Sequence, residues 1–480
     1  MNHSSPAAKA VRSEKTIVFK TNVPSRKTAG NTAPKQPAGR QKKKAGEASA
    51  PVPVLAPVTR RRDDYIERTW AEIDLDCIIE SCRVIREEMV PHGTKLMAVL
   101  KSDAYGFGAA YLAPILEKEC GVSYFAVACL AEAIELRRGG ATLPILILGL
   151  TETKYAGLLG AWQLTQTIGD MAYAKDLSAA ACAAGVTINC HIKVNTGMNR
   201  LGFGGGWTDP AGVAEAAADS GEADIVARTA DEILSAAGLP GLTCDGLYSH
   251  LYDSLTYNER SRKECYAQHD RFQAVRDRLA ASGFTVPYCH LLNTGGVINY
   301  PELAMDMVRV GSLLWGLKGV SPGAVQRYHP PLRPSFQLKS RVAMLRDVAA
   351  GECVGYSSNF IADHPTKVAV VSCGYTDGYS RRNSNRGFVL IRGHRAPVIG
   401  NVCMDMLLAD VTEIPETAAG DLVTLYGTDG AAELSCGEAA IYADTIEPEI
   451  TTVVSRRVPR LYLRDHRVVH VEDYLLNGMF

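Results

Sequence analysis

The chain has 480 residues, 46% of them hydrophobic, so it is long enough for two domains with buried cores. No apolar run reaches the roughly 20 residues that a membrane-spanning helix needs, which argues against a membrane protein. The 13 cysteines are scattered without a CxxC pair, and the first residues lack the apolar stretch of a secretory signal. We therefore predict a cytoplasmic protein with free thiols.

The first 62 residues form a basic segment. They contain 14 Lys and Arg side chains against Glu14 and Glu47, a net charge of +12, whereas the whole chain has a net charge of −1. The segment is rich in Pro, Ala, Ser, Thr and Gly and cannot bury enough apolar surface to order itself. We predict a disordered, solvated tail over residues 1–62 and assign it no nucleic-acid partner, although its Lys and Arg runs suit acidic surfaces.

Residues 63–330 alternate short β-branched runs with stretches of helical periodicity such as Ala131–Arg138. The predicted strands end at Lys101, Ala128, Leu148, Val194, His250, Asn293 and Val310. Near-continuous apolar strands separated by helices indicate a parallel sheet with its outer face covered. About eight such units fit an α/β fold of the (β/α)8 barrel type. A doubly wound open sheet is the alternative, but no GxGxxG turn supports it.

The pattern changes over residues 331–480. Strand-like runs such as KVAVVS, FVLIR and LVTLYG are separated by Gly, Asp and Asn turns, with little helical periodicity. This texture predicts a separate, mostly antiparallel β domain at the C-terminal end of the chain.

Polar residues close several of the predicted barrel strands. They are Lys101, Lys193, Arg200, His250, Asn293 and Arg309. In a (β/α)8 barrel these strand ends share one face, where active sites form. A lysine that closes an apolar strand is costly to bury, so Lys101 either reaches solvent or performs covalent chemistry.

Several segments, in order along the chain, resemble motifs of the alanine racemase family. They are RTWAEIDLDCI, KLMAVLKSDAYGFGA, HIKVNTGMNRLGF, LYSHL, HLLNTGG, DMVRVGSLLWGL, VGYSSNF, CGYTDGYSRRNSN, APVIGNVCMDM and TIEPEITTVVSRRVPRLY. The resemblance covers roughly residues 68–462. It implies racemisation of L-alanine and D-alanine, which supplies D-amino acid for cell-wall synthesis, in a barrel-plus-β-domain fold.

The resemblance also implies pyridoxal 5′-phosphate as the cofactor, bound covalently to Lys101. The matching phosphate ligands are Tyr105, Asn293, Thr294 and Gly311. Arg309 matches the arginine that faces the pyridine nitrogen, and His250 matches the histidine that orients it. A permanently charged guanidinium keeps that nitrogen unprotonated, which weakens the cofactor as an electron sink and suppresses transamination.

Tyr356 resembles the second catalytic base, which the family supplies from the other subunit of a homodimer with shared active sites. Racemisation needs proton removal on one face of Cα and delivery on the other, so Lys101 and Tyr356 would serve opposite faces. The residues matching the substrate contacts are Arg200, Tyr375 and Met404. Lys193 matches a lysine that is carbamylated in some members, and the sequence leaves that modification open.

Four departures from the family pattern put alanine specificity in question. They are Phe107, Met406, the segment 357–359 and above all Pro448, which stands where the family has a tyrosine. A serine or serine/alanine racemase therefore remains an alternative. A non-catalytic pyridoxal-phosphate-binding protein and a decarboxylase of related fold are others, but the β domain and Tyr356 argue against the first, and the CMDM loop and GYxDGY segment against the second.

Overall fold

The computed structural model describes residues 68–207, 221–317, 319 and 324–475, which belong to one compact unit. The predicted tail over residues 1–62 lies outside the described residues. The described chain opens with strand β1 (Thr69–Asp74) and helix α1 (Leu75–Val84). Helix α1 begins where the Asp74 carboxylate accepts a hydrogen bond from the backbone N–H of Cys77, at 2.9 Å.

Eight parallel strands then close into a barrel. They are β2 (Lys95–Val99), β3 (Tyr124–Val127), β4 (Ile145–Ile147), β5 (Thr165–Ile168), β6 (Ile188–Lys193), β7 (Leu242–Tyr248), β8 (Tyr288–His290) and β9 (Met307–Val310). The helical segments along this part of the chain are α2 (Lys101–Gly106), α3 (Ala109–Glu119), α4 (Leu130–Arg138), α5 (Ala156–Ala161), α6 (Met171–Ala184), α7 (Glu222–Ala237), α8 (Glu259–Ala281) and α9 (Thr294–Asn299). The predicted (β/α)8 barrel is confirmed.

Strands β3, β4 and β9 are buried along their whole length, as expected for strands enclosed on both faces. Strand β5 was not among the seven predicted strands, because its sequence TQTI is largely polar. Most of its polar groups have partners in the barrel: the Thr165 hydroxyl lies 2.8 Å from the Tyr124 hydroxyl, and Gln166 Nε2 donates to Gly149 O at 2.7 Å, whereas Gln166 Oε1 has no partner among the described residues. An apolar-run criterion misses a buried strand that carries hydrogen-bonded polar side chains.

The rest of the described chain forms a mostly antiparallel sheet with two short helices. Its strands are β1, β10 (Phe336–Val348), β11 (Thr366–Val371), β12 (Phe388–Ile391), β13 (His394–Pro397), β14 (Leu407–Asp410), β15 (Leu422–Asp429), β16 (Ala432–Leu434), β17 (Arg460–Arg464) and β18 (Arg467–Glu472). The helices are α10 (Cys436–Tyr442) and α11 (Glu447–Thr452). Along the main path the strand order is β13-β12-β15-β10-β1-β17-β18, which confirms the predicted β domain.

Strand β1 crosses the division that the sequence placed at residue 330. It precedes the barrel in the chain, yet it pairs antiparallel with β10 and parallel with β17 in the other sheet. Trp70 of β1 is buried against Leu461 of β17, which accounts for the location of the strand. The β domain is therefore built from both ends of the described chain.

Among the described residues, no helix combines the length and apolarity that crossing a membrane requires. The same ranges hold no group of three or more His, Cys, Asp or Glu side chains suited to a metal ion. All 13 cysteines lie in these ranges as free thiols.

Candidate active site

A cavity of about 430 Å³ opens at the carboxyl ends of the barrel strands. Nine of the residues that the sequence analysis singled out line it: Lys101, Tyr105, Lys193, Arg200, His250, Asn293, Thr294, Arg309 and Gly311. Because the strands are parallel, residues far apart in the chain meet at this one rim.

Of the two lysines that line this cavity, Lys101 lies at the start of a left-handed turn. Lys101 begins α2, and the next four residues, Ser102–Tyr105, have φ angles between 53° and 60°. Left-handed backbone costs about 1–2 kcal/mol per non-glycine residue, so the turn needs support from its surroundings. Part of that support comes from Glu132, whose carboxylate accepts hydrogen bonds from the N–H groups of Ser102 and Ala128, each at 2.7 Å.

The C-terminal strands and the segment after them support the same turn from its outer side. Arg460 is buried and its Nε–H donates to the Gly106 carbonyl at 3.2 Å. The Tyr474 hydroxyl donates to the Asp103 carboxylate at 2.6 Å. The backbone that carries Lys101 is thus fixed by the β-domain part of the chain as well as by the barrel.

The cavity is strongly cationic, since Lys101, Lys193, Arg200 and Arg309 all line it. Burial, followed by the charge of Arg200, lowers the pKa of the Lys101 amine. Burial, followed by the charges of Arg200 and Arg309, lowers the pKa of Lys193 to about 8. A lysine with a lowered pKa has a larger neutral fraction that can attack an aldehyde, while the arginines attract anions.

Arg309 is buried and its two terminal nitrogens are occupied by the barrel. NH1 donates to Nδ1 and to the carbonyl of His290, at 2.7 and 3.1 Å. NH2 donates to the carbonyls of Ser249 and Leu291 and to Nδ1 of His250, at 2.7, 3.0 and 3.1 Å. These contacts to the described residues use NH1 and NH2, and none of them uses the Nε–H.

His250 is held neutral. Burial and the charges of Arg309 and Arg200 lower its pKa well below the ordinary value for histidine. Because the guanidinium can only donate, Nδ1 of His250 accepts the hydrogen bond from Arg309. The histidine predicted to orient Arg309 is therefore in contact with it.

A second part of the rim is built from small and hydroxyl residues. A Cβ atom at Gly311 would collide with the Tyr105 hydroxyl, so glycine at this position lets the tyrosine reach the rim. The N–H of Gly311 donates to the Thr294 hydroxyl at 3.3 Å, and burial raises the pKa of Tyr105 to about 12. The side chain of Asn293 caps α9, with Oδ1 accepting from the N–H of Gly296 at 2.9 Å. Tyr105 and Thr294 therefore offer neutral hydroxyl groups, whereas the Asn293 amide is used by the fold.

The three site residues predicted in the β domain are not part of this cavity. Tyr356, Tyr375 and Met404 are 67%, 39% and 52% exposed. Their loops are nevertheless ordered: the Asn401 side chain donates to the Tyr356 carbonyl at 2.8 Å. Within one chain, the structure does not bring these residues to Lys101.

A buried carboxylate fixes the loops that carry Tyr375 and Met404. Asp377 is fully buried and accepts from Arg457 Nε at 2.7 Å, while Arg457 NH2 donates to Asp405 at 2.8 Å. Asp405 directly follows Met404, and the N–H of Tyr375 donates to the adjoining Cys403 carbonyl at 3.0 Å. The two exposed side chains therefore project from loops that are joined to each other by hydrogen bonds and ion pairs.

Sequence analysis did not single out two histidines that lie inside the barrel beneath Arg309. His191 and His290 are both fully buried. The signal available in the sequence was a histidine within an otherwise apolar strand, since a buried imidazole needs hydrogen-bond partners. Pro448, which the sequence marked as a departure, lines the cavity together with Leu255 and Ile446.

Two family models match this chain. One, described as "Alanine racemase, N-terminal domain", covers residues 73–319, and the other, "Alanine racemase, C-terminal domain", covers residues 335–462. A curated relative from Desulfosudis oleivorans, named alanine racemase, is 36% identical over 394 residues, which is 82% of this chain and 96% of the relative.

Solved structures similar to this chain are also described as alanine racemases. The chain resembles alanine racemase of Clostridium difficile 630 with a TM-score of 0.75 at 30% identity, over 85% of this chain and 99% of that one. It also resembles an alanine racemase of Bartonella henselae, described as having covalently bound pyridoxal phosphate, with a TM-score of 0.68 at 25% identity over 83% and 100% of the two chains.

Proposed function

The chain belongs to the alanine racemase family, and from that premise we propose that it interconverts L-alanine and D-alanine with pyridoxal 5′-phosphate bound at Lys101. Its relatives are named alanine racemases, and racemases are isomerases. One structural observation carries the proposal: a lysine with a lowered pKa lies in a barrel cavity with three further cationic side chains, Lys193, Arg200 and Arg309.

The residues of the cavity fit this cofactor. The cofactor and an amino-acid substrate bring a phosphate and a carboxylate, and the cationic lining compensates both charges. Tyr105 and Thr294 offer hydroxyl groups for the phosphate at a rim where Gly311 leaves room. Arg309 has its Nε–H left for the ring nitrogen, and a guanidinium at that point keeps the nitrogen unprotonated. When bound, the cofactor withdraws electrons from the substrate and so acidifies its Cα–H.

The protein supplies two proton-transfer groups and a clamp for the carboxylate. In the proposed reaction Lys101 Nζ and the Tyr356 hydroxyl exchange the Cα proton on opposite faces. Arg200 binds the substrate carboxylate, and the backbone amide of Met404 assists it. Tyr375 lines the route by which substrate enters. Burial in the closed site keeps water away from the reacting carbon.

We propose a head-to-tail homodimer with shared active sites. Tyr356, Tyr375 and Met404 are exposed on the β domain and do not line the cavity that holds Lys101. A second copy whose β domain covers the mouth of the barrel would bring them to it. Such an isologous arrangement gives two equivalent composite sites.

The other functional alternatives have less support. The relatives described above are all named alanine racemases. A non-catalytic cofactor carrier has no need of an ordered base beneath Tyr375 and Met404. We further propose that the enzyme works in the cytoplasm, where its 13 free thiols stay reduced, and supplies D-alanine for cell-wall synthesis.

The direct test is to incubate the purified, cofactor-loaded protein with L-alanine and to follow D-alanine by chiral chromatography. We expect the mixture to approach equal amounts of the two enantiomers, because they have equal free energies. A Lys101→Ala variant is the matched control and should form no D-alanine above background. Failure of the loaded wild-type protein to form D-alanine would contradict the proposal.

A further inference from the structure

A chain of neighbouring polar side chains leads from the cavity down into the barrel. Arg309 NH1 lies 2.7 Å from Nδ1 of His290, and Nε2 of His290 lies 2.9 Å from Nδ1 of His191. Nε2 of His191 lies 3.3 Å from Oδ1 of Asp245. We call Arg309, His290, His191 and Asp245 the barrel relay.

Only one arrangement of protons lets the relay accept the hydrogen bond of the Arg309 guanidinium. Arginine only donates, so Nδ1 of His290 accepts and the His290 proton is on Nε2. That N–H faces Nδ1 of His191, which must accept in turn, so the His191 proton is also on Nε2. A proton on Nδ1 of His191 would put two N–H donors against each other. The tautomer of His191 therefore determines whether Nδ1 of His290 can accept the hydrogen bond from Arg309.

The fold is adapted to the His191 ring. A bulge in β7 shifts the register between β6 and β7, so that Cys190 pairs with Cys244 but His191 pairs with Gly246. Asp245 is the extra residue of the bulge. A Cβ atom at Gly246 would collide with the His191 ring, so the glycine leaves room for the imidazole. Bulge and glycine together place Asp245 beside Nε2 of His191.

The Asp245 side chain is partly buried, with 28% of it exposed. Its Oδ1 atom is buried, and no donor among the described residues makes a well-directed hydrogen bond to it. The His191 N–H, 3.3 Å away, is the donor that the relay directs toward it. The other oxygen close to Nε2 of His191 is the Tyr124 hydroxyl at 3.4 Å, which also contacts Thr165 at 2.8 Å.

We propose that Asp245 is a positioning residue for the proposed racemase reaction. Its carboxylate selects the Nε2–H tautomer of His191, which through His290 holds Arg309 with its Nε–H toward the cofactor's ring nitrogen. Asp245 lies three residues before Tyr248, about 10 Å down the strand from the rim, and does not line the cavity. The inference rests on the proposed function, because Arg309 matters only if that cofactor occupies the cavity.

A partition measurement tests the relay. If Arg309 loses its position, the ring nitrogen can take up a proton, and more substrate is diverted to transamination, in which alanine and the cofactor give pyruvate and the amine form of the cofactor. Pyruvate formed per racemisation event is therefore the readout, because this ratio does not depend on how much protein is folded.

We expect Asp245→Ala to raise the ratio about fivefold, the factor that corresponds to one lost hydrogen bond. Asp245→Asn should stay within about twofold of wild type, since its amide oxygen still accepts. Two controls are available in the same barrel. Thr243→Ala removes an exposed side chain of the same strand, and Tyr124→Phe removes the other oxygen near His191. Both should leave the ratio unchanged.

A second readout does not depend on turnover. Nitrogen-15 NMR of histidine-labelled full-length protein should show both His191 and His290 with the proton on Nε2. Asp245→Ala should give a mixture of tautomers at His191, and Asp245→Asn should resemble wild type. An unchanged spectrum and an unchanged ratio in Asp245→Ala overturn the proposal, as does a raised ratio in Tyr124→Phe alone. Absence of racemisation in the wild type would instead contradict the proposed function, while the NMR result would still decide the tautomer.

Discussion

The barrel half and the β-domain half of the proposed site hold their side chains in opposite ways. Arg309 and His250 are surrounded by protein and hydrogen-bonded to strand carbonyls and to each other. Tyr356 and Tyr375 are exposed, and only the loops beneath them are fixed. The barrel half is thus preorganised within one chain, as electrostatic catalysis requires. The side chains of the β-domain half lie on an exposed surface and have no such surroundings within the chain.

The barrel half should fail completely without its lysine. Lys101→Ala removes the amine proposed to hold the cofactor, so we expect loss of visible absorbance at about 420 nm and a fall in turnover of about 10³-fold or more. Borohydride treatment of the wild type should bleach the colour and leave the cofactor on Lys101 in the peptide map. Lys95→Ala, at the other end of β2, is the control and should keep both colour and activity. A label on a different lysine would end the assignment.

The β-domain half should fail on one face only. Tyr356→Phe removes one of the two proposed proton-transfer groups, so we expect the cofactor to stay bound and turnover to fall by about 10²–10⁴-fold. Solvent deuterium should then enter Cα from one enantiomer much faster than from the other. Tyr266→Phe changes an exposed tyrosine on α8 and should behave as wild type. Equal exchange from both enantiomers in Tyr356→Phe would argue against two bases.

Mixing the two inactive variants tests whether the halves come from different chains. A heterodimer of Lys101→Ala and Tyr356→Phe contains one composite site with both residues intact. After equal mixing and full subunit exchange, we expect about a quarter of the wild-type activity, because half of the dimers are mixed and each has one good site. Verified heterodimers without activity would show that Tyr356 serves its own chain.

Lys193 tests how much the buried cations of the barrel half lower the stability of the fold. Its pKa is lowered to about 8 by burial, Arg200 and Arg309, so the folded state disfavours the charged amine. The penalty is fully present below pH 8 and disappears as the pH rises through 10.5, the ordinary value, above which the amine is neutral in both states. We expect Lys193→Met to raise the free energy of unfolding by about 1–3 kcal/mol at pH 7, with the gain shrinking toward pH 10.

Denaturant titration at several pH values measures this, and Lys175→Met on the exposed face of α6 is the control. A loss of stability at pH 7 would contradict the prediction for a free amine. It would indicate a carbamate, formed when CO₂ adds to the amine with release of a proton, whose negative charge pairs with Arg200. A mass increase that depends on bicarbonate would identify it.

The smallest effect is expected where the two parts of the chain meet at the rim. Pro448 lines the cavity beside Ile446 and Gly319, in the place where the family pattern has a tyrosine. The smaller side chain leaves room for a hydroxymethyl group, so we predict better use of serine than in a typical alanine racemase. Pro448→Tyr should lower kcat/KM for L-serine relative to L-alanine by about threefold to tenfold. An unchanged ratio in a well-folded variant would show that Pro448 does not set specificity.

The sequence predicted the position of a site residue correctly where that position depends only on the strand that carries the residue. Lys101 and Arg309 close or lie in apolar strands, and in a parallel barrel each such strand must deliver its end to one rim. Strand β5 was missed because its polar side chains find partners across the barrel, and β1 was assigned to the barrel because it precedes it in the chain. Both errors concern partners more than 40 residues away, which periodicity does not register.

By itself, then, the sequence determined the barrel, the β domain and the residues at the barrel rim, because strand periodicity and motif order are properties of neighbouring residues. Only the tertiary structure decided that Tyr356 lies on an exposed surface away from Lys101, and that His191, Gly246 and Asp245 form a unit beneath Arg309. These arrangements depend on barrel closure and on a one-residue bulge, which shifts strand register and so redirects side chains. The register between two strands depends on the side chains that pack across them, and those residues are distant in the sequence.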